Sequence, residues 1–507
     1  MDSLSLSNEK VAVTALVRRG ILRLLGRTAA TQLLRVVSSL ILARLLYPKD
    51  YGLFGFVSIV VSFAAYFTDV GLGVTLLRQQ EEPSEQELAT VASLQMMLAI
   101  AVTIVLMLAA PIIASTGHVG HAGIPLIQIM AIGLPISAVA IVPIVLLERN
   151  LTYGPIAAAE LLSTIGGTAI TLGAAVIGAG VWSFIFGTLA QRILYSAALL
   201  RSTRITPKFH FDMQIAKRLG KFGILFQLNL LISSLLGGLA PILVGSMAGL
   251  TSLGLVLWST NIVNTPMMIG QVIGRVTLPA FAKLQTDSNA LFDVVRQTLR
   301  IVCLGLAPLF ALIVGLAEPG IRDVFGVRWL PAIPIVQILS VSVFFEIINF
   351  LLTSLQNALG RSGVRLGVTI LSLSLRISIS VPLIMLLAGV GYAIATAVGS
   401  CFELLFSVVT LARFSNIKLQ VYSGMVKPII IFTIMATIYS ILAHLFTLTI
   451  IDIIGISLGG SVMYIVLAAL LNEQPIHLIR SLLISTVDTK NSADCSSATL
   501  VSFKERV

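Results

Sequence analysis

Four arginines and four acids stand in stretches otherwise built from Leu, Val, Ile and Ala. They are Arg35, Arg44, Arg192 and Arg376, against Asp69, Glu160, Glu346 and Glu403. An arginine at the middle of a membrane helix costs about 2.5–3.5 kcal/mol on insertion scales, so each needs a counter-charge, water or an anionic ligand. A guanidinium offers planar, two-point contact to phosphate, which makes passage of an anion one chemistry open to these residues. The other is mutual pairing, because an uncompensated buried charge is expensive.

Spacing sharpens both readings. Thr28, Thr31, Gln32, Arg35, Ser38 and Ser39 fall on one face of a helix. That face reads as one wall of a hydrated passage, with a snorkelling or partner-neutralised arginine as the alternative. Arg44 lies nine residues beyond Arg35, roughly 180° around a straight helix, and close enough to the outer surface to snorkel. Depth counting at about 1.5 Å per residue places Asp69 level with Arg35, and couples Glu160 with Arg192 and Glu346 with Arg376 in the same way. Glu346 shares a stripe with Ser342, Asn349 and Thr353; Arg376 shares one with Thr369, Ser372 and Ser380. An uncharged stripe of Asn261, Asn264, Thr265 and Gln271 runs on to Arg275, with Pro266 expected to bend the helix. Asparagines in lipid either join helices or line a passage, and this stripe is long enough to face a sugar. His118 and His121 have too little company for a metal site, no nucleotide motif occurs, and no cofactor is expected.

The elements that must position these residues are membrane helices. The chain is 57% hydrophobic and 11% charged, against about 25% charged in soluble proteins. Apolar stretches long enough to cross a bilayer lie near 28–47, 53–76, 88–114, 124–147, 154–178, 179–200, 222–246, 251–274, 301–318, 332–356, 364–387, 390–412, 428–448 and 453–471. The fold class is therefore an all-α polytopic membrane protein of about fourteen spans. With the N-terminus inside, 26 of the 33 Lys and Arg residues fall on inner segments, 3 on outer ones and 4 within spans. The positive-inside rule thus puts both termini in the cytoplasm. It also accounts for the net charge of +11 without a nucleic-acid partner. Residues 1–27 read as an amphipathic segment on the inner surface, and 274–300 as a second interfacial stretch. The tail 472–507 is polar.

An internal repeat divides the spans. Ile124-Pro125-Leu126-Ile127-Gln128 is echoed by Ile333-Pro334-Ile335-Val336-Gln337, and Gly180-Val181 by Gly389-Val390 at the same offset. Gly52 matches Gly254 in a looser alignment. Two six-helix bundles follow, 28–200 and 222–413, joined by a basic linker at 201–221, with two further helices over 428–471.

The segments Ala43-Arg44-Leu45-Leu46-Tyr47-Pro48-Lys49-Asp50-Tyr51-Gly52, Asp69-Val70-Gly71-Leu72-Gly73, Leu278-Pro279-Ala280-Phe281 and Phe325-Gly326-Val327-Arg328-Trp329 carry a resemblance. The chain resembles the polysaccharide-transport family of lipid-linked oligosaccharide flippases, related to multidrug and toxin extruders. The resemblance implies pseudosymmetric bundles around a central cavity and an alternating-access cycle in the bacterial inner membrane. It also implies a polyprenyl-pyrophosphate-linked repeat unit as cargo for exopolysaccharide, capsule or O-antigen. Arginines of the cavity would hold the pyrophosphate, and a polysaccharide polymerase and chain-length or export proteins would be partners. A cation-coupled extruder of the same fold would want an acidic, aromatic cavity, and the four-against-four tally does not favour it. A membrane-embedded polymerase would need a catalytic loop. The longest outer segment, about Pro319 to Pro331, offers almost no acid or histidine, so no enzyme is expected.

Overall fold

The computed structural model describes residues 31–468 apart from 32–33, 70, 80, 118, 204–209, 219–226, 228–237, 268–276, 278–280, 282–283, 286–287, 415–422, 446–451, 453–454, 457–458, 461–462 and 465. Gln32, Gln271 and Arg275, the segment 1–27 and the tail 472–507 lie outside the described residues. Every regular element among the described residues is helical, and nine helices there are long and apolar enough to cross a membrane. The protein is a multi-pass membrane protein. Most of the expected span 222–246, and parts of 251–274 and 453–471, fall outside the described residues, so fourteen spans stands as an expectation. By its contacts the chain divides into two units, 1–257 and 258–507.

In the first unit, α1 (34–45) leads into α2 (Pro48–Ala65). Proline at the first position is pre-set for a helix, and Asp50 closes the start by accepting the Tyr47 N–H at 2.9 Å. A short α3 (Leu72–Arg78) follows Gly71, whose φ of 71° is left-handed. The long α4 (Glu85–Thr116) begins in a capping box: Ser84 accepts the Glu87 N–H while Glu87 accepts the Ser84 N–H. Its membrane stretch is apolar all round. Ile100, Ile104, Leu108 and Ile112 are exposed along one stripe, while Ala99, Leu106, Ala110 and Ala114 are buried on the other side.

Next come α5 (Gly123–Arg149), α6 (Tyr153–Val176), α7 (Trp182–Thr203) and α8 (Leu239–Val263). Gly249 interrupts α8 with φ 81°. Beyond that break α8 crosses α2 where two glycines meet. A Cβ on Gly52 would stand 1.8 Å from the Leu250 carbonyl oxygen, and one on Gly254 would stand 1.7 Å from that of Pro48. The contact is reciprocal: each glycine faces the carbonyl four residues before the other.

The expected basic linker reaches the start of α4. The His210 N–H donates to Ser93 Oγ at 3.0 Å, Ile215 packs on the cluster of Leu72 and Leu76, and Arg218 pairs with Glu87. Glu87 also accepts from Gln79 Nε2 at 3.4 Å, so one carboxylate ties three segments. Glu87→Ala removes a cap interaction and an ion pair together. It is expected to cost about 1–2 kcal/mol and to speed tryptic cleavage after Lys217, followed by limited proteolysis.

The second unit is built on α9 (Ser288–Gly315), α10 (Ile333–Ala358), α11 (Ser362–Phe414) and α12 (Ser423–Leu445). At 53 residues, α11 would be roughly 80 Å long, far beyond a hydrocarbon slab of about 30 Å. Ala388, at φ 49° and ψ −126°, breaks it into two passes. Phe344 of α10 stacks on Phe432 of α12 at 5.3 Å, and Trp258 stacks on the buried Trp329 at 4.3 Å. The expected interfacial stretch is corrected over its second half. Residues from Ser288 belong to α9, burying Leu291, Val295 and Leu299 at helical spacing.

Helices of the two repeats agree in register. Gly123–Arg149 and Ile333–Ala358 begin and end about 209 residues apart, the same offset as the Ile-Pro motifs. The shared glutamine does the same work in both. Gln128 Nε2 donates to the Met107 carbonyl at 3.2 Å, and Gln337 Nε2 to that of Val314 at 3.0 Å.

Candidate functional site

Ser38 and Leu42 of α1, and Leu46 just past its end, are buried. Arg35 lies three, seven and eleven residues before them, on that same face, yet is exposed. Val37, Ile41 and Arg44 are exposed on the opposite side. Arg35 therefore points in the direction in which the helix packs, not toward its apolar exposed face. Leu42 and Leu46 pack with Ala175, Leu172 and Phe184. Ser38 donates back to the Leu34 carbonyl, as hydroxyls in apolar helices commonly do.

The expected Arg35–Asp69 pair does not form. Depth counting requires a helix running through residue 76, but α2 ends at Ala65, and Asp69 sits in the turn beyond it. Its Oδ1 accepts the Gly71 N–H at 2.9 Å and Gln95 Nε2 at 3.2 Å. The aspartate thus shapes the turn into α3, and Gln95, wholly buried on α4, is the partner the sequence did not suggest.

The expected Glu160–Arg192 pair does not form either. Arg192 is half-buried on α7 and turns toward α5, where Nη1 donates to Ser137 Oγ at 3.4 Å. Gly133 makes the space: a Cβ there would be 2.9 Å from Arg192 Cδ. The Ser137 hydroxyl donates onward to the Gly133 carbonyl at 2.9 Å. Glu160 is exposed. Among the described residues no carboxylate lies in ion-pair range of Arg35 or Arg192.

In the second unit the third expected pair is present. Arg376 Nη2 lies 3.4 Å from Glu346 Oε1 and donates to Ser400 Oγ at 3.2 Å. Ser400 donates to the same carboxylate oxygen at 2.9 Å and sits 2.8 Å from Ser342 Oγ. Gly399 clears the way for the guanidinium, since a Cβ there would be 2.9 Å from Nε. The polar seam between α10 and the second pass of α11 continues through Asn349, which accepts from Ser407 at 2.8 Å. It reaches Gln356 and Thr410 at 3.5 Å. Ser400 and Ser407 stand out little in the sequence because serine is common in membrane helices. Their spacing of seven, matching Ser342 to Asn349, is the signal that could have found them.

Of the expected uncharged stripe, Asn261, Asn264 and Thr265 are described, and Gln271 and Arg275 lie outside the described residues. Asn261, Asn264 and Thr265 are exposed, and Thr265 Oγ1 donates to the Asn261 carbonyl at 3.3 Å. The α-helix ends at Val263, ahead of Pro266, which has no N–H to give and whose ring would collide with the Ile262 carbonyl in an unbroken helix; the course of the chain over 268–276 lies outside the described residues.

These positions hold two kinds of intramembrane arginine, one neutralised by a carboxylate and one not. Comparison with known proteins places the framework that carries them. The structure of lipid II flippase MurJ in an inward closed conformation superposes with a TM-score of 0.72 at 15% identity, covering 88% of this chain and 97% of that one. An inward-facing multidrug resistance MATE transporter of the MOP superfamily gives 0.52 at 14%, covering 80% and 96%. These likenesses define the fold. Curated relatives include the teichuronic acid biosynthesis protein TuaB of Bacillus subtilis, 24% identical over 55% of this chain and 58% of its own. They also include the succinoglycan biosynthesis transport protein ExoT of Rhizobium meliloti, 24% identical over 61% and 62%, and the lipopolysaccharide biosynthesis protein WzxC of Escherichia coli, 24% over 61% and 63%. The chain thus spans about six-tenths of the length of these relatives. Residues 41–334 match the family described as polysaccharide biosynthesis protein, more than half of the sequence, and the chain belongs to that family.

Proposed function

We propose that this protein is a transporter that flips polyprenyl-diphosphate-linked oligosaccharide repeat units across the bacterial inner membrane by alternating access, supplying an exopolysaccharide, capsule or O-antigen. The observation that carries this reading is Arg35: an accessible guanidinium on the packed face of a membrane helix, with no carboxylate in ion-pair range among the described residues. Such a charge is costly in lipid and becomes favourable when an anion passes it. The lipid-linked cargo of the MurJ fold relative and the polysaccharide pathways named for TuaB, ExoT and WzxC supply the class of anion. In this reading 28–200 and 222–413 are two six-helix halves joined by 201–221, 428–471 adds two helices, and both termini are cytoplasmic. The exposed Asn261, Asn264 and Thr265 meet sugar hydroxyls. A polymerase and export proteins take the product onward.

Arg35→Ala is expected to lower surface polymer by roughly ten- to a hundredfold, the loss of one charge-assisted contact of about 1.5–3 kcal/mol. Lipid-linked precursor should accumulate on the cytoplasmic leaflet at unchanged protein abundance. Arg44→Ala, on the opposite face, should leave export near normal. Full polymer yield from a normally abundant Arg35→Ala protein would remove the function argued from Arg35.

A further inference from the structure

The repeat places Ser137 and Glu346 at the same position, 209 residues apart. Each sits on the equivalent helix, α5 or α10, and each contacts an arginine that a glycine admits. Ser137 offers Arg192 a neutral hydroxyl with Gly133 opposite. Glu346 offers Arg376 a carboxylate, reinforced by Ser400, with Gly399 opposite. The two halves thus treat the same kind of guanidinium oppositely. A hydroxyl orients Arg192 and leaves its charge uncancelled; a carboxylate orients Arg376 and cancels it.

Resting on the function proposed above, we propose that this repeated position divides the labour. Ser137 keeps Arg192 available to the diphosphate of the cargo, while Glu346 withholds Arg376 as a structural ion pair. The chemistry near Arg192 agrees. Glu148 and Glu160 act electrostatically on Tyr195, three residues further along α7, and neither is within ion-pair range of Arg192. A guanidinium in a low-dielectric setting with no acid beside it gains from a passing diphosphate what Arg376 already gains from Glu346. Ser137 is a positioning residue here, since it acts through Arg192.

The test is binding of geranylgeranyl diphosphate, with geranylgeraniol as the uncharged control, to the full-length protein in nanodiscs. Wild-type protein should bind the diphosphate better than the alcohol. Ser137→Glu should weaken diphosphate binding by about tenfold or more, leaving alcohol binding and the melting midpoint in place. Ser137→Thr, which keeps the hydroxyl, should bind as wild type does. The double variant Glu346→Gln with Arg376→Gln should stay within about twofold of wild type, well under one tenfold step of 1.4 kcal/mol. Should Ser137→Glu fail to give monodisperse protein, Arg192→Gln takes its place with the same expected loss. Unchanged diphosphate binding in Ser137→Glu or Arg192→Gln overturns the assignment of Arg192. An equal loss in the double variant overturns the division between halves. Wild-type protein that does not distinguish diphosphate from alcohol removes the anionic-cargo reading itself, and this proposal with it.

Discussion

Gly52→Ala and Gly254→Ala are each expected to lower the melting midpoint of the purified protein, among the largest effects of any single-methyl change in the first unit. The added Cβ would fall 1.8 Å or 1.7 Å from a backbone carbonyl oxygen. No rotamer moves a Cβ, and no rotamer moves a carbonyl, so relief requires the backbones of α2 and α8 to separate. Overpacking of this kind costs about 1–3 kcal/mol, occasionally more. The double variant should cost less than the sum of the singles, because both methyls wedge the same crossing and the first separation makes room for the second. Gly305→Ala is the matched control. Gly305 lies on α9, and a Cβ added there would meet nothing within 4 Å. Alanine at that position should stabilise by about 0.5–1 kcal/mol through lost unfolded-chain freedom. Thermal unfolding of the wild type and the four variants in one detergent reads all of this. Equal midpoints for Gly52→Ala and Gly305→Ala would show that the two helices do not meet at these glycines.

The crossing also marks what is legible in the sequence. Gly52 and Gly254 match in a loose alignment, and they meet because equivalent helices of a repeat can approach symmetrically. The membrane helices are readable for a simpler reason: a bilayer demands about 20 apolar residues per crossing, and 57% hydrophobic residues supply them. Helix ends are less readable. Apolar patterning puts Asp69 in the interior of a span, but α2 stops at Ala65, and the three residues between carry the aspartate off the helix and into a turn. Depth along a helix is set by sequence, whereas the direction of a long side chain is set by the space around it. Arg192 and Glu160 stand at matching depth, yet Gly133 opens room on α5 and the guanidinium turns there. Glu346 and Arg376 obey the depth count because Gly399 and Ser400 lie on the side where the pair must form. Three pairings argued by the same depth count thus give one contact. A helix end decides the first, and small residues on neighbouring helices decide the other two.

Glu346→Gln is expected to destabilise the second unit more than the simultaneous change of Arg376→Gln. Removing the charge of the glutamate leaves the guanidinium on α11 with the Ser400 hydroxyl and the field of Glu403, which is beyond ion-pair range. Breaking a buried pair costs about 3–5 kcal/mol. The side chains here are 21% and 31% exposed, so about 2–3 kcal/mol is the appropriate scale. Taking both charges away leaves two amides that can still bond to Ser400 and to each other, and no ion without a partner. The double-mutant cycle should then return a coupling of about 1–3 kcal/mol, read from the melting midpoints of wild type, both singles and the double. Strict additivity would mean that the two charges do not stabilise one another. The seam would then owe its cohesion to Ser342, Ser400, Asn349 and Ser407, whose hydrogen bonds join the same helices without any net charge. A strong coupling has a consequence for transport. An arginine held by a carboxylate must give up that partner before it can bind a phosphate, so the tighter the pair, the less Arg376 can contribute to the proposed passage and the more that proposal rests on Arg35 and Arg192.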